Sequence, residues 1–231
     1  MRREMRPFPP GEVISDAWRI YTERMGLSIL AFVVLFVLSI VSNIILFIPL
    51  GISNEQLERG NTSGAITGFC VSAVLGVLMI AFFSYLQAGY LILQIKIARE
   101  EDASLGDLFS GGRFTFRMIL NSVLFGLMCT LGYCACIIPG LLLALMFFFY
   151  GHVLVDDDLP GIQSLSRAKQ LSDGNWGSLI LIFIVGMVSI FAGFLACYIG
   201  AIFTIPYVNI LWAVAYDRTT CQTQIGDAES A

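Results

Sequence analysis

Few residues in this 231-residue chain have the type and spacing to do chemistry. His152, the single histidine, stands four positions before Asp156, which opens the run Asp156-Asp157-Asp158. On a helix that spacing sets an imidazole and a carboxylate on one face, a pair suited to a divalent cation. The plainer reading is an interfacial histidine at the end of an apolar run, followed by a solvated acidic cap. Of the six cysteines, Cys70, Cys129, Cys134, Cys136 and Cys197 lie in apolar runs, where cysteine is usually a small buried hydrophobe. Cys134-Ala135-Cys136 lacks the paired spacing of a zinc site. No nucleophile elbow, phosphate loop or zinc-protease helix is present. The expectation is a chain without catalytic residues, metal or cofactor.

The polar residues within the apolar runs are Asn43, Gln87, Gln94, Asn121, Thr204 and Asn209. Asn and Gln in such places commonly bond to neighbouring helices. If Asn43, Gln87, Asn121, Thr204 and Asn209 converge, they form a polar path. No Asp, Glu, Lys or Arg stands in the middle of any run, which argues against proton-driven transport. Gly64, Gly68, Ser72 and Gly76 recur every four residues, as do Ala192, Ala196 and Gly200. Small residues at this spacing let helix backbones approach closely, either within a bundle or across a dimer face.

These residues sit on elements that the composition identifies as membrane-spanning. The chain is 57% apolar and only 13% charged, about half the charge density of a soluble domain. A bilayer core takes about 20 apolar residues per helix. Residues 27–52 and 64–95 each make one span. The run 118–155 is too long for one helix and splits at Ile138-Pro139-Gly140 into 118–137 and 140–155. The run 178–216 splits near Gly200 to Pro206 into 178–198 and 201–216. The fold class is therefore an all-α integral membrane bundle of six transmembrane helices in a single domain over 1–218. An interfacial helix over about 10–25 precedes it, and a polar cytoplasmic tail, 219–231, follows. The first apolar run begins too late, at Leu27, and runs too long for a signal peptide.

Orientation follows from Lys and Arg. Six spans place twelve of the thirteen on one side, from Arg2 to Arg24, Lys96 to Arg117, Arg167, Lys169 and Arg218, against Arg59 alone on the other. The positive-inside rule then sets both termini in the cytoplasm. Cys134, Cys136 and Cys197 fall near the outer face, where a disulfide from Cys197 to either of the others is feasible. Nucleic acid is excluded as a partner, because no basic stripe exists away from the membrane flanks.

The spans also follow a threefold plan. Asp16, Asp107 and Asp173 each lie 32 or 33 residues before a proline, Pro49, Pro139 or Pro206, and each is closely followed by an aromatic, Trp18, Phe109 or Trp176. One unit reads as an amphipathic helix and then a hairpin of two spans. In the first helix Ile14, Ala17, Trp18, Tyr21 and Met25 share a face. The second opens with Ser104 and Asp107, close to a capping box. The third has Asp158 as candidate cap, then Ile162, Leu165, Ala168 and Leu171. The proline pairs are expected to break the helices near the outer interface, because unpaired backbone groups in hydrocarbon are costly.

Ile137-Ile138-Pro139-Gly140, the stretch Leu165 to Leu171 with Gly174-Asn175, Ile205-Pro206-Tyr207 and Tyr216 form a series that resembles a group of uncharacterised bacterial integral membrane proteins. These are similar to the membrane domain attached to some bacterial glycerophosphodiester phosphodiesterases. The likeness covers roughly residues 87–218 and marks turns and packing. It implies a bacterial cytoplasmic membrane location. The phosphodiesterase activity does not carry over, because no part of this sequence matches the soluble domain that performs it. The expectation is a non-enzymatic scaffold or accessory protein linked to lipid or envelope homeostasis, with membrane lipids, a second copy or another membrane protein as partner. The alternative is a small transporter or channel with an Asn/Gln-lined path.

Overall fold

The computed structural model describes residues 9–135, 137–159, 161–173, 175–196 and 199–228. They are almost entirely helical and contain no strand. Helix α1 covers Pro10–Glu23, α2 Met25–Glu58 and α3 Thr62–Ala98. Two short 3₁₀ turns, Leu105–Phe109 and Gly111–Phe114, lead into α4, Thr115–Ala135. Then come α5 (Ile137–Met146), α6 (Tyr150–Asp156), α7 (Gly161–Ser172), α8 (Trp176–Leu195) and α9 (Ile199–Ala228). Among the described residues, four stretches are long and apolar enough to cross a membrane: Met25–Glu58, Thr62–Ala98, Leu105–Cys134 and Trp176–Leu195. Gly140–Asp156 is a shorter apolar segment, kinked at Phe147–Phe149 between α5 and α6.

The most extensive pairings are α2 with α3, α4 with α5, and α8 with α9. Each is a hairpin preceded by a short helical segment: α1, the 3₁₀ turns and α7. These lead-ins differ from one another. Helix α1 starts with Pro10 in its first turn, which suits a residue without an N–H. It buries Val13, Ala17, Ile20 and Tyr21, a face rotated from the expected one. Trp18 is exposed and meets the Tyr207 ring edge-on at 5.4 Å. The second lead-in is 3₁₀ rather than α, since Gly106, Gly111 and Gly112 disfavour a continuous helix. The capping box of Ser104 and Asp107 is present there. In α7 Leu165, Ala168 and Leu171 are buried. Asp158, the candidate cap of α7, accepts from Arg117 through its carboxylate and carbonyl at 2.7 and 3.1 Å.

The prolines do not all mark breaks. Pro49 lies inside α2 and Pro206 inside α9, so the third hairpin turns before Ile199 rather than at Pro206. Hydroxyl groups bond the helix backbone near each proline. Ser53 Oγ donates to the Pro49 carbonyl at 2.6 Å, and the Tyr21 hydroxyl donates to the Phe203 carbonyl at 2.9 Å.

Burial divides the molecule lengthwise. From Ile66 to Phe82, α3 exposes most of its large apolar side chains, as α2 does from Phe36 to Ile52. From Leu86 to Ala98, α3 buries Leu86, Leu93, Ile95 and Ile97 against α1, α6 and α9. The hairpins are also staggered. Asn209 bonds Tyr90, 119 positions earlier, and Asp217 bonds Arg99, 118 positions earlier. A constant offset means that α3 and α9 run parallel, with Ile199 level with about residue 80 of α3. The α8–α9 turn thus stops roughly 20 residues, or about 30 Å, short of the α2–α3 turn.

The small-residue stripes work unevenly. A Cβ on Gly68 would overlap Ser53 Oγ and come 3.3 Å from the Pro49 carbonyl, whereas one on Gly76 meets nothing within 4 Å. Gly64 lies against Asn61 and Gln56, and Ser72 is buried. In the third hairpin Gly200 approaches Gly193 and Ala196, while Ala192 and Ala196 are largely exposed. Gly68→Leu is therefore expected to cost about 1–3 kcal/mol, and Gly76→Leu to leave stability nearly unchanged. Melting temperatures of the two variants in detergent measure this, and equal losses would contradict the assigned α2–α3 contact.

Candidate functional site

The chemically richest region is the charged end of the bundle, where the three hairpins meet. Arg99 is the C-cap of α3. Its Nη1 and Nη2 donate to the two oxygens of Asp156 on α6, at 2.7 and 2.6 Å, and its Nε donates to Asp217 on α9 at 2.8 Å. The bidentate fork is the geometry in which Arg binds carboxylate most strongly. The Tyr216 hydroxyl adds a bond to Asp156 at 3.0 Å. Asp156 chiefly, with Asp217, raises the Arg99 pKa against the opposing effect of burial, so the guanidinium is a permanent cation. Glu100 follows with φ +58, and this turn presents two carbonyls to Arg24, which donates to Glu101 O at 2.7 Å and to Glu100 O at 3.3 Å.

Further pairs surround this junction. Lys96 binds Asp107 at 2.6 Å and Arg218 binds Asp16 at 2.6 Å. Arg117 binds Asp158 at 2.7 Å, and Arg19 reaches Glu23 and Glu100. The one ion pair at the opposite end is Arg59 with Glu55, among the described residues. Burial pushes the Asp107 carboxyl up, but Lys96 and the Ser104 N–H outweigh it and hold it below its usual range. Asp157 is raised, by burial first and then by the like charge of Asp156.

His152 and Asp156 do not form the cation pair that their spacing suggested. Both Asp156 oxygens already accept from Arg99 and Tyr216. His152 stacks on Tyr216 with ring centres 5.3 Å apart, and its two nitrogens are buried without a partner among the described residues. No group of three His, Cys, Asp or Glu is placed to share a metal ion among those residues.

The polar residues distribute over separate places. Asn43 is exposed and donates to Ser39 O on its own helix at 2.8 Å. Gln87 is also exposed. Asn121 is fully buried and donates to Ser164 on α7 at 2.6 Å. Asn209 donates to the Tyr90 hydroxyl at 3.1 Å, with Gln94 beside the same oxygen. The Thr204 hydroxyl is buried against Gly193. No described hydrogen bond joins two of the five. Cys70, Cys129 and Cys134 are free thiols; Cys136 and Cys197 lie outside the described residues.

Sequence reasoning missed Arg99, which entered only as an orienting charge, and the glycines of closest approach. Gly89 and Gly111 lie where Leu108 and Tyr85 bring their backbone carbonyls, and a Cβ at either would overlap them. A Cβ on Gly132 would come 2.9 Å from the Gly140 Cα. A glycine inside an apolar helix such as α3 is the available signal, since it weakens the helix unless another backbone needs the space.

Arg99→Gln is expected to destabilise the protein by about 1–3 kcal/mol, because two half-buried carboxylates lose their counterion. Arg19→Gln, on an exposed pair, leaves the melting temperature unchanged. Asp107 gives a pH test. Its folded pKa lies below the unfolded value, so its contribution is present above about pH 4 and is lost as pH falls through the folded pKa. Asp107→Asn therefore flattens the fall in stability below about pH 4; an unchanged acid profile would contradict the Lys96–Asp107 assignment.

Compared with known proteins, the chain is similar to uncharacterised proteins of Mycobacterium bovis and Mycobacterium tuberculosis. Each is 22% identical over 224 residues, which cover 91% of this chain and 68% of the relative. No described family matches the sequence, and no solved structure matches it.

Proposed function

We propose that this is a multi-pass protein of the bacterial cytoplasmic membrane, crossing six times with both termini inside and acting as a non-enzymatic scaffold or accessory protein. The observation that carries the reading is the lengthwise division of burial: bare apolar helices at one end, and a filled core under a layer of ion pairs at the other. Lipid is the solvent in which such bare helices are stable. The three hairpins with their lead-in segments support a repeated plan. The bacterial relatives support the location, and the resemblance to the membrane domain beside some glycerophosphodiester phosphodiesterases supports a place in lipid or envelope homeostasis.

The interior favours a scaffold over a transporter. The enclosed cavity among Phe148, Phe149, Leu179, Ile182 and Trp212 offers about 10 Å³, room for about one water. The larger cavity, about 500 Å³, is an open groove on the outside of α2 along Ser39, Asn43 and Phe47. Asn43 in that groove is the feature that favours the transport reading.

The stagger puts a condition on six crossings. Because α3 and α9 run parallel, the α8–α9 turn reaches the far interface only if the α2–α3 hairpin projects beyond it by up to about 30 Å or bends away. In a cysteine-free background, Glu55→Cys and Leu195→Cys should react with an impermeant maleimide from outside, and Lys169→Cys only from inside. Outside labelling of Lys169→Cys would overturn the orientation; Leu195→Cys shielded from both sides would remove the last two crossings. In sealed proteoliposomes the scaffold reading predicts no protein-dependent flux of potassium, chloride or glycerol, and such a flux would favour the transporter.

A further inference from the structure

A stripe of side chains on α4 leads from the apolar band to a cation that has no counterion among the described residues. Phe116, Leu120, Val123, Leu127 and Leu131 are all exposed and recur three or four residues apart, so they form one face of α4. The same spacing carried backwards reaches Arg113 and then Phe109, both exposed on the 3₁₀ turns. Phe116 is 77% exposed and Phe109 53%. The Arg113 guanidinium lies 4.4 Å from the centre of the Phe114 ring. Among the described residues it meets no carboxylate, although Lys96, Arg99 and Arg117 nearby all do. Asp107, the closest acid by sequence, is engaged by Lys96.

The elbow is held rigidly at one depth. Gly89 and Gly111 let its backbone touch α3, the Tyr85 hydroxyl donates to the Phe109 carbonyl, and the capping box fixes its start. Tyr85 lies one turn beyond Phe82, where the run of exposed apolar side chains on α3 ends. Where α3 and α4 span the bilayer, Arg113 therefore falls at the end of their exposed apolar faces, at headgroup depth, with exposed Phe109 and Phe116 four and three residues away.

We propose that this elbow binds the headgroup of an anionic phospholipid in the leaflet on the basic side. Arg113 donates charge-assisted hydrogen bonds to the phosphate, while Phe109 and Phe116 lie against the acyl boundary, where aromatic rings are favoured. The site is preorganised, so little ordering opposes binding. An uncompensated guanidinium disfavours a choline headgroup and favours one with net negative charge. The proposal rests on α2, α3 and α4 crossing the membrane, and neither on the crossing of α8 and α9 nor on the scaffold role.

Native mass spectrometry of the purified full chain, given dioleoyl phosphatidylglycerol or dioleoyl phosphatidylcholine at equal concentration, tests it. The parent protein should retain more phosphatidylglycerol. Arg113→Gln should lower that retention about fivefold, the effect of one surface cation, with phosphatidylcholine retention unchanged. Arg113→Lys should keep the preference, and so should Lys169→Gln, which removes an exposed cation elsewhere. Phe116→Ser should lower retention of both lipids. A parent without preference, or Arg113→Gln with the parent's preference intact, would overturn the site. Lipid retention in detergent does not depend on which side the elbow faces, so the site and the topology fail separately.

Discussion

The three hairpins of this protein are joined through one guanidinium. Arg99 ends α3 in the first hairpin and binds Asp156, at the end of the second, and Asp217, in the last helix of the third. Arg suits this position because its fork has more than one edge. One edge takes both oxygens of Asp156, and Nε is left for Asp217. A lysine would offer a single point charge and no planar match. The junction lies just past the apolar part of α3, where the carboxylates are half-buried and retain some contact with water. There an ion pair strengthens without the full penalty of burial.

Around that junction the chain behaves like a soluble protein, with a core of Leu93, Ile97, Val153, Leu171 and Leu211 beneath ion pairs. Away from it the helices hold together by close backbone approach. Each hairpin uses glycine near its turn: Gly68 against Ser53, Gly132 against Gly140, and Gly193 against Gly200. On the membrane reading proposed above, this division follows from the solvent. Lipid tails give apolar side chains no reason to leave them, so association in the bilayer relies on van der Waals fit and short polar bonds. Water drives apolar burial at the other end. The 3₁₀ elbow marks the boundary, and its exposed Phe109, Arg113 and Phe116 are chemically suited to neither side alone.

Much of this architecture is legible in the sequence, and the reasons are local. The apolar runs define α2, α3, α4 and α8 closely, because hydropathy over twenty residues averages out detail. The Lys and Arg bias anticipates that the ion pairs gather at one end. The Ser104–Asp107 capping box is a local motif and forms as expected. The prolines mislead, because Pro49 and Pro206 are carried inside α2 and α9 rather than ending them. The face of α1 is rotated because Tyr207 offers Trp18 a ring to lean on at the surface. Partners such as Arg99 with Asp217, or Asn121 with Ser164, are 118 and 43 residues apart, and no periodicity encodes them. The polar residues each look suited to a path when read singly, and their separate partners show only in three dimensions.

The claim that one side chain couples three hairpins is tested most directly by a double-mutant cycle on Arg99→Gln and Asp156→Asn, read as unfolding free energy in detergent. If Arg99 is the shared tie, the double variant should be more stable than the sum of the single losses implies, with a coupling of about 1–3 kcal/mol. The same cycle with Asp217→Asn should give a smaller coupling of the same sign, since that carboxylate takes one bond rather than two. Single losses that add to within about 0.5 kcal/mol in both cycles would contradict the account, since the hairpins would then be held together by packing alone.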